Sequence, residues 1–160
     1  MNDYIKSLVD AKKLDISLKP NRWKFDHNPY IISGPCSVES EEMIVDWAHK
    51  MKNAGVNALR GGAYKPCTYP ITEEVGTDGW KEGLREDGLK FLRIASEETG
   101  LPIVSEIMDS NQINELSMDC IDIIQVGTRN FQNYTLLDAL GELDIPILLY
   151  NGSRLPFWYL

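Results

Sequence analysis

Residues 101–126, LPIVSEIMDSNQINELSMDCIDIIQV, read as a strand, a helix and a second strand. The two ends of this stretch, Leu101–Met108 and Asp122–Val126, are short apolar runs of the kind found in strands that are buried on both faces. The segment between them opens with Asp109 and Gln112, whose spacing is typical of a capping pair, and a helix is predicted over residues 110–118. Two buried strands joined by a helix predict a parallel β-α-β unit and therefore the α/β class.

The same alternation extends through most of the chain. Strands are predicted to start near residues 30, 56, 102, 122 and 146, with a helix between each strand and the next. Such alternation predicts a parallel sheet, either open and doubly wound or part of a (β/α)₈ barrel. Length favours the open sheet, because a closed barrel typically needs about 250 residues and this chain has 160. Five strands would be five of the eight strand-helix units of a barrel.

The first predicted helix shows how its sequence sets its ends. Ser40 stands where an N-cap is expected, and two glutamates follow in the first turn. Trp47 and Met51 fall at helical spacing with other apolar residues and are predicted to lie in the core. His49 lies on the opposite, polar face and is predicted to be solvated.

Composition excludes several classes of function. Sixteen basic against twenty-four acidic residues give a net charge of −8, which disfavours binding to nucleic acid or to anionic membranes. No apolar run approaches the roughly 20 residues of a membrane-spanning helix, and the charged start lacks the features of a secretory signal. Three cysteines without a C-x-x-C pair suit a reducing compartment. These features predict a cytoplasmic protein. Along the chain we distinguish a leader (1–29), a strand-helix region (30–152), interpreted below as a partial barrel, and an apolar tail (153–160).

Residues suited to catalysis and anion binding follow the predicted strands. Cys36 follows the first strand, whereas Arg60 and Lys65 follow the second. Glu106 ends the third strand, and Arg129 comes after the fourth. Such residues converge on one site in a barrel but spread along the edge of an open sheet, so their placement favours the barrel. Two arginines and a lysine predict a pocket for a small substrate with phosphate or carboxylate groups, and Glu106 is the candidate acid-base group.

Four segments carry a resemblance to a known family: GPCSVE at 34–39, LRGGAYKP at 59–66, PIVSEIMD at 102–109 and QVGTRNFQN at 125–133. In this order and spacing they resemble the type I 3-deoxy-7-phosphoheptulonate (DAHP) synthases. The resemblance implies a (β/α)₈ barrel that condenses phosphoenolpyruvate with erythrose 4-phosphate at the entry to aromatic amino acid synthesis. The related 3-deoxy-8-phosphooctulosonate synthases rank second, because their loop after the second strand lacks the Lys-Pro pair found at 65–66.

The resemblance also implies roles for individual residues. Cys36 matches the family's metal-binding cysteine, for a divalent metal of the manganese, iron or zinc class. Arg60 and Arg129 match arginines that hold phosphoenolpyruvate. Lys65 and Glu106 match catalytic residues, the glutamate lying beside the reacting carbons. Pro66 and Thr68 complete the substrate-binding loop with Lys65.

The sequence departs from the family pattern at three places. Cys67 stands where the family has a phosphate-binding arginine, and Tyr150 stands where it has a lysine. The family's remaining metal ligands come from strands beyond the fifth, so we expect a truncated or frame-shifted gene. Two alternatives stay open: a noncatalytic remnant that binds phosphoenolpyruvate or phosphate, and an unrelated five-stranded doubly wound domain. The expected partners are phosphoenolpyruvate, an aldose phosphate and further copies of the chain in a homo-oligomer.

Overall fold

A computed structural model describes residues 30–65 and 83–150, which form one parallel five-stranded sheet with helices packed against it. The predicted leader, the apolar tail and most of the loop after the second strand lie outside these residues. The strands are short, and their bounds are β1 (Ile32–Ser33), β2 (Ala58–Arg60), β3 (Ile103–Glu106), β4 (Ile123–Val126) and β5 (Ile147–Leu149).

Strand order decides between the two predicted architectures. The order is β1-β2-β3-β4-β5, and every neighbouring pair is parallel. A doubly wound sheet reverses its order at a switch point, whereas the strands of a (β/α)₈ barrel follow one another in sequence. The described residues therefore form a partial (β/α)₈ barrel, and the unrelated doubly wound domain is excluded.

Within the described residues four α-helices connect the strands: α1 (Glu41–Asn53), α2 (Arg85–Thr99), α3 (Glu115–Cys120) and α4 (Tyr134–Gly141). The predicted cap of α1 is confirmed, because the Ser40 side chain accepts a hydrogen bond from the Met43 amide at 3.1 Å. Helix α2 ends at Gly100, whose φ of 71° is the left-handed conformation that glycine adopts at little cost. None of the described helices has the length and apolarity to cross a membrane.

The sequence predicts one helix over residues 110–118, and this prediction is wrong. The capping pair of Asp109 and Gln112 is present, but it closes only a 3₁₀ turn, Ser110–Gln112. Helix α3 begins after a second cap, Asn114, whose side chain accepts from the Ser117 amide at 2.9 Å. Because the two caps lie five residues apart, the chain forms a single 3₁₀ turn between them, and the α-helix begins only after the second cap.

Trp47 was predicted to be a core residue, and the structure contradicts this. Its relative exposure is 38%, whereas Ile44 and Ala48 on the same helix are fully buried. These two residues and the partly buried Met51 occupy the narrow face of α1 that packs on the core. Trp47 lies outside that face, with the Lys50 ammonium 5.8 Å from the centre of its ring. His49 is exposed as predicted, and it pairs with Glu98 of α2 at 3.0 Å.

Hydrophobic residues pack on both faces of the sheet. The larger cluster lies between the sheet and the helices, and it includes Leu59, Ile103 and Ile124 from the strands. The second cluster belongs to the opposite, inner face of the barrel and contains the buried residues Ala58, Val104 and Ile123. Since side chains alternate along a strand, the residues two positions further on face the same interior.

Candidate active site

A polar layer follows the buried apolar residues of the inner face, two positions further along three neighbouring strands. Arg60 ends β2, Glu106 ends β3 and Gln125 lies on β4. Glu106 and Gln125 stand directly opposite each other in the strand register. The carboxyl ends of the strands thus place a cation, an acid and an amide side by side.

Gln125 connects the acid to the cation. Its Nε2 donates to Glu106 Oε2 at 3.3 Å, and its Oε1 accepts from Arg60 Nε at 3.1 Å. Arg60 also donates from Nη1 to the carbonyl oxygen of Pro35 at 3.4 Å, in the loop after β1. Gln125 and Glu106 are only 4% and 6% exposed, so the amide is shielded from water, and both of its polar atoms form hydrogen bonds within the protein.

Lys65 supplies a second cation beside the acid. Its Nζ lies 3.9 Å from Glu106 Oε2, and the side chains of Lys65 and Glu106 are 17% and 7% exposed. Two glycines leave the room that this pair needs. A Cβ atom on Gly62 would overlap the Lys65 side chain, and one on Gly127 would overlap the Glu106 carboxylate. A buried carboxylate close to an ammonium is held in place and can orient a polar group of a bound substrate.

Cys36 lies in the loop after β1, exposed to solvent and close to both cations. The pKa of its thiol is below the usual value, chiefly because Lys65 stabilises the thiolate by hydrogen bonding. Partial burial opposes this effect, and the positive charge of Arg60 adds to it. A hydrogen bond of 3.0 Å from the Val38 amide to the Gly62 carbonyl ties this loop to the loop after β2.

Arg129 occupies a 3₁₀ turn, Thr128–Asn130, directly after β4. It is exposed, and no hydrogen bond or ion pair with another described residue joins it to the cluster. The structure therefore brings together Cys36, Arg60, Lys65 and Glu106, whereas Arg129 makes no hydrogen bond or ion pair with them within the described residues. The predicted Pro66 and Thr68, together with Cys67, lie outside the described residues.

Sequence reasoning missed Gln125, although a signal was present. Residues 122–126 read DIIQV, and a glutamine inside such an apolar strand is unusual, because an uncompensated buried amide is costly. Only the fold shows that this glutamine hydrogen-bonds two charged side chains, Arg60 on β2 and Glu106 on β3. The sequence of the QVGTRNFQN segment assigns no role to Gly127. The space that this glycine leaves for Glu106 is likewise visible only in three dimensions.

A catalytic metal normally has at least three protein ligands. Across residues 30–65 and 83–150 no three histidine, cysteine or acidic side chains lie close enough together to hold a metal ion. In the cluster itself, Cys36 and Glu106 are the available donors, and both lie beside cations. The described residues therefore do not fit a complete metal site.

A cavity of about 520 Å³ lies elsewhere, between the start of α2 and the segment after β3. It is lined by Tyr64, residues 84–87, Asn111, Gln112 and Asn114. None of the clustered residues Cys36, Arg60, Lys65 and Glu106 lines it. We assign the chemistry to the cluster, because titratable groups with distinct charges converge there.

Charged side chains at the carboxyl ends of successive strands are the arrangement in which (β/α)₈ barrel enzymes carry their active sites. The fold and the cluster thus define part of a (β/α)₈ barrel with cationic and acidic side chains at the carboxyl ends of its strands. The chain matches the model of the DAHP synthetase I family over residues 19–159, and it belongs to that family.

Relatives of known name agree with this assignment. The chain is 42% identical over 122 residues to a phospho-2-dehydro-3-deoxyheptonate aldolase of Thermotoga maritima, a match covering 76% of this chain and 33% of that protein. It is 27% identical over 125 residues to a 2-dehydro-3-deoxyphosphooctonate aldolase of Campylobacter jejuni, covering 78% of this chain and 45% of that protein. The chain thus spans less than half the length of these curated relatives.

Two solved structures of DAHP synthases are also similar to this chain. The crystal structure of the T. maritima phospho-2-dehydro-3-deoxyheptonate aldolase (DAHP synthase) matches with a TM-score of 0.66 and 38% identity. That match covers 79% of this chain and 34% of the other. A truncated form of the T. maritima 3-deoxy-D-arabino-heptulosonate 7-phosphate synthase matches with a TM-score of 0.63 and 37% identity, covering 79% and 41%.

Proposed function

We propose that this chain carries the phosphoenolpyruvate-binding part of a synthase that condenses phosphoenolpyruvate with erythrose 4-phosphate. The observation that supports this most is the Lys65–Glu106 pair, 3.9 Å apart, with Arg60 held beside it at the carboxyl ends of the strands. Membership of the DAHP synthetase I family points to the same reaction. Homo-oligomeric assembly and a cytoplasmic location remain predictions.

In this proposal the cations bind the anionic groups of phosphoenolpyruvate. The guanidinium of Arg60 can bind a carboxylate or a phosphate through two N–H groups, which fixes the orientation of the enol. Lys65 adds a charge close to Glu106 and balances the negative charge of the substrate. Arg129 is exposed directly after β4 and would approach the bound phosphate from its own loop.

The chemical step joins C3 of phosphoenolpyruvate to the aldehyde carbon of the sugar phosphate. Water then adds at C2, and phosphate leaves by cleavage of its C–O bond. Glu106 is the group that would orient this water and accept its proton, because its carboxylate is buried and is already held by Gln125 and Lys65. The family resemblance implies a divalent metal with Cys36 as a ligand, but the described donors do not complete such a site, so we route no step through it.

A second candidate function is binding of phosphoenolpyruvate without turnover. The observation that favours it is the small donor set, which falls short of three metal ligands within the described residues. The two candidates share the cation cluster and therefore predict the same binding behaviour. They differ only in whether a second substrate reacts.

Binding is tested by calorimetry of phosphoenolpyruvate with the wild-type chain, Lys65→Met and Arg129→Ala. Each substitution removes a charge-assisted contact, and we expect each to weaken binding roughly ten- to hundredfold. Lys90→Met is the matched control, because Lys90 is exposed on α2 and pairs only locally with Asp87. Equal affinity in all four proteins would contradict both candidate functions.

Turnover is tested by the loss of phosphoenolpyruvate absorbance on mixing with erythrose 4-phosphate and manganese, iron or zinc, with Cys36→Ala as the control. Metal-dependent turnover that this substitution abolishes supports the synthase. Binding without turnover supports the second candidate. Turnover only with a five-carbon aldose phosphate would favour the octulosonate synthases, whose product has one carbon more.

A further inference from the structure

Arg60 and Glu106 carry opposite charges on the same face of neighbouring strands. Arg60 pairs in register with Val104, so Glu106 lies two residues further along β3. Strand geometry, with a rise of about 3.3 Å per residue and a strand separation of about 4.8 Å, places the two Cα atoms roughly 8 Å apart. Two long side chains can close such a gap. Even so, the described contacts include no ion pair between them.

Gln125 lies on β4, on the far side of Glu106 from β2, and its side chain bridges these two charges. Its amide donates to Glu106 Oε2 at 3.3 Å and accepts from Arg60 Nε at 3.1 Å. One carboxylate oxygen and one guanidinium N–H group thus have a hydrogen-bond partner that carries no charge. The orientation of the amide is fixed, because reversing it would point NH₂ at the guanidinium and oxygen at the carboxylate. Its 4% exposure leaves little room for water to take over either bond.

The separation matters for anion binding. An arginine that is paired with a buried carboxylate has its charge neutralised and its N–H groups occupied, and it binds a second anion poorly. In this site Gln125 accepts from the Nε group of Arg60, and the Cys36 thiol is a further hydrogen-bond partner of the guanidinium. The Pro35 carbonyl accepts from Nη1 at 3.4 Å, a long bond that a substrate anion can replace. Glu106 meanwhile stays beside Lys65.

We propose that Gln125 is a positioning residue that keeps Arg60 and Glu106 apart, so that the guanidinium remains available to an anionic substrate. The identity of that anion as phosphoenolpyruvate rests on the proposed function. The separation of the two charges does not, since it follows from the contacts of Gln125 alone.

The experiment compares wild type, Gln125→Met, Glu106→Gln and the double variant by calorimetry with phosphoenolpyruvate. Methionine keeps the size of glutamine but removes both polar atoms, so Arg60 is expected to pair with Glu106 and affinity to fall at least about tenfold. Removing the charge of Glu106 in the double variant should recover most of that loss. A merely structural defect would not be rescued by a second substitution. Gln132→Met, at an exposed glutamine, is the matched control.

A second readout is independent of phosphoenolpyruvate. Phenylglyoxal modifies accessible arginines, and peptide mass analysis reports Arg60 separately from the exposed Arg129. We expect Arg60 modification to slow at least about fivefold in Gln125→Met, to recover in the double variant and to stay unchanged in Gln132→Met. If the wild type binds no phosphoenolpyruvate while this pattern holds, the proposed function fails and the positioning role stands.

Unchanged Arg60 modification in Gln125→Met would overturn the positioning role, whatever the binding data show. If Gln125→Met does not fold, Gln125→Glu provides the test, because it keeps the size and polarity of the side chain. Its carboxylate would pair with Arg60 directly, so both Arg60 modification and anion affinity should fall, and Glu106→Gln should not restore them. Wild-type values in Gln125→Glu would likewise overturn the proposal.

Discussion

Replacing Gly127 by alanine tests whether the position of Glu106 depends on the absent side chain. Gly127 has φ −71° and ψ 161°, a conformation that alanine also adopts, so the backbone does not oppose the change. The added Cβ atom would overlap Glu106 Oε1 and lie 3.0 Å from its Cδ. Carbon atoms prefer separations of about 3.5–4.0 Å, so the carboxylate must move by roughly 0.5–1 Å.

That movement is larger than the contacts of Glu106 tolerate. The hydrogen bond from Gln125 already measures 3.3 Å, and beyond about 3.6 Å it is lost. Losing a bond to a charged group costs about 1.5–3 kcal/mol, and alanine returns about 0.4–1 kcal/mol by restricting the unfolded chain. We therefore expect Gly127→Ala to lower the free energy of unfolding by about 0.5–2.5 kcal/mol.

The measurement is urea unfolding followed by circular dichroism, and Gly141→Ala is the control. A Cβ atom at Gly141 meets no atom within 4 Å, and this residue ends α4, so the control should be neutral or slightly stabilising. The effect of Gly127→Ala should also shrink in a Glu106→Ala background, where the clash is gone. Equal unfolding midpoints for the two glycine variants, or an undiminished loss in that background, would refute the reasoning.

Two further predictions concern the groups around the site. Because the pKa of the Cys36 thiol is lowered and burial raises that of Cys120, iodoacetamide should label Cys36 faster at neutral pH, and Lys65→Met should move the Cys36 labelling profile to higher pH. Peptide mass analysis across a pH series checks both points, and equal rates at the two cysteines would contradict them. Tyr150→Lys restores the cation of the family pattern and should tighten phosphoenolpyruvate binding about tenfold, whereas Tyr134→Lys, at a side chain 70% exposed on α4, should not.

The sequence predicts the strand-helix alternation well, because each strand is a short apolar run bounded by glycine, proline or a capping residue. It cannot choose the sheet architecture from periodicity, since the doubly wound sheet and the barrel share the same alternation. Strand order makes that choice, and order depends on contacts between residues far apart in the chain. The placement of polar residues after strands, as at Arg60 and Glu106, was the local feature that favoured the barrel.

Packing explains where the sequence-based predictions failed. Trp47 has the spacing of a core residue, but the face of α1 that touches the sheet is narrow and Ile44 and Ala48 already occupy it. The helix predicted over residues 110–118 has a proper cap at its start, yet Asn114 forms a second cap that restarts the helix. In both cases the local pattern is compatible with two outcomes, and tertiary contacts select one.

On the inner face of the sheet, each of three strands carries an apolar residue that stabilises the fold and, further along, a polar residue of the candidate site. Ala58, Val104 and Ile123 lie fully or almost fully buried in one layer, and the polar layer stands two residues, or about 6.6 Å, further along. Burying an acid such as Glu106 is costly unless its partners are already in place. The apolar layer fixes the strands in register, and this register places the amide of Gln125 opposite Glu106. The layer beneath the cluster, and not the charges, therefore determines where the strands lie, and Gln125 can hold Arg60 apart from Glu106 at that fixed spacing.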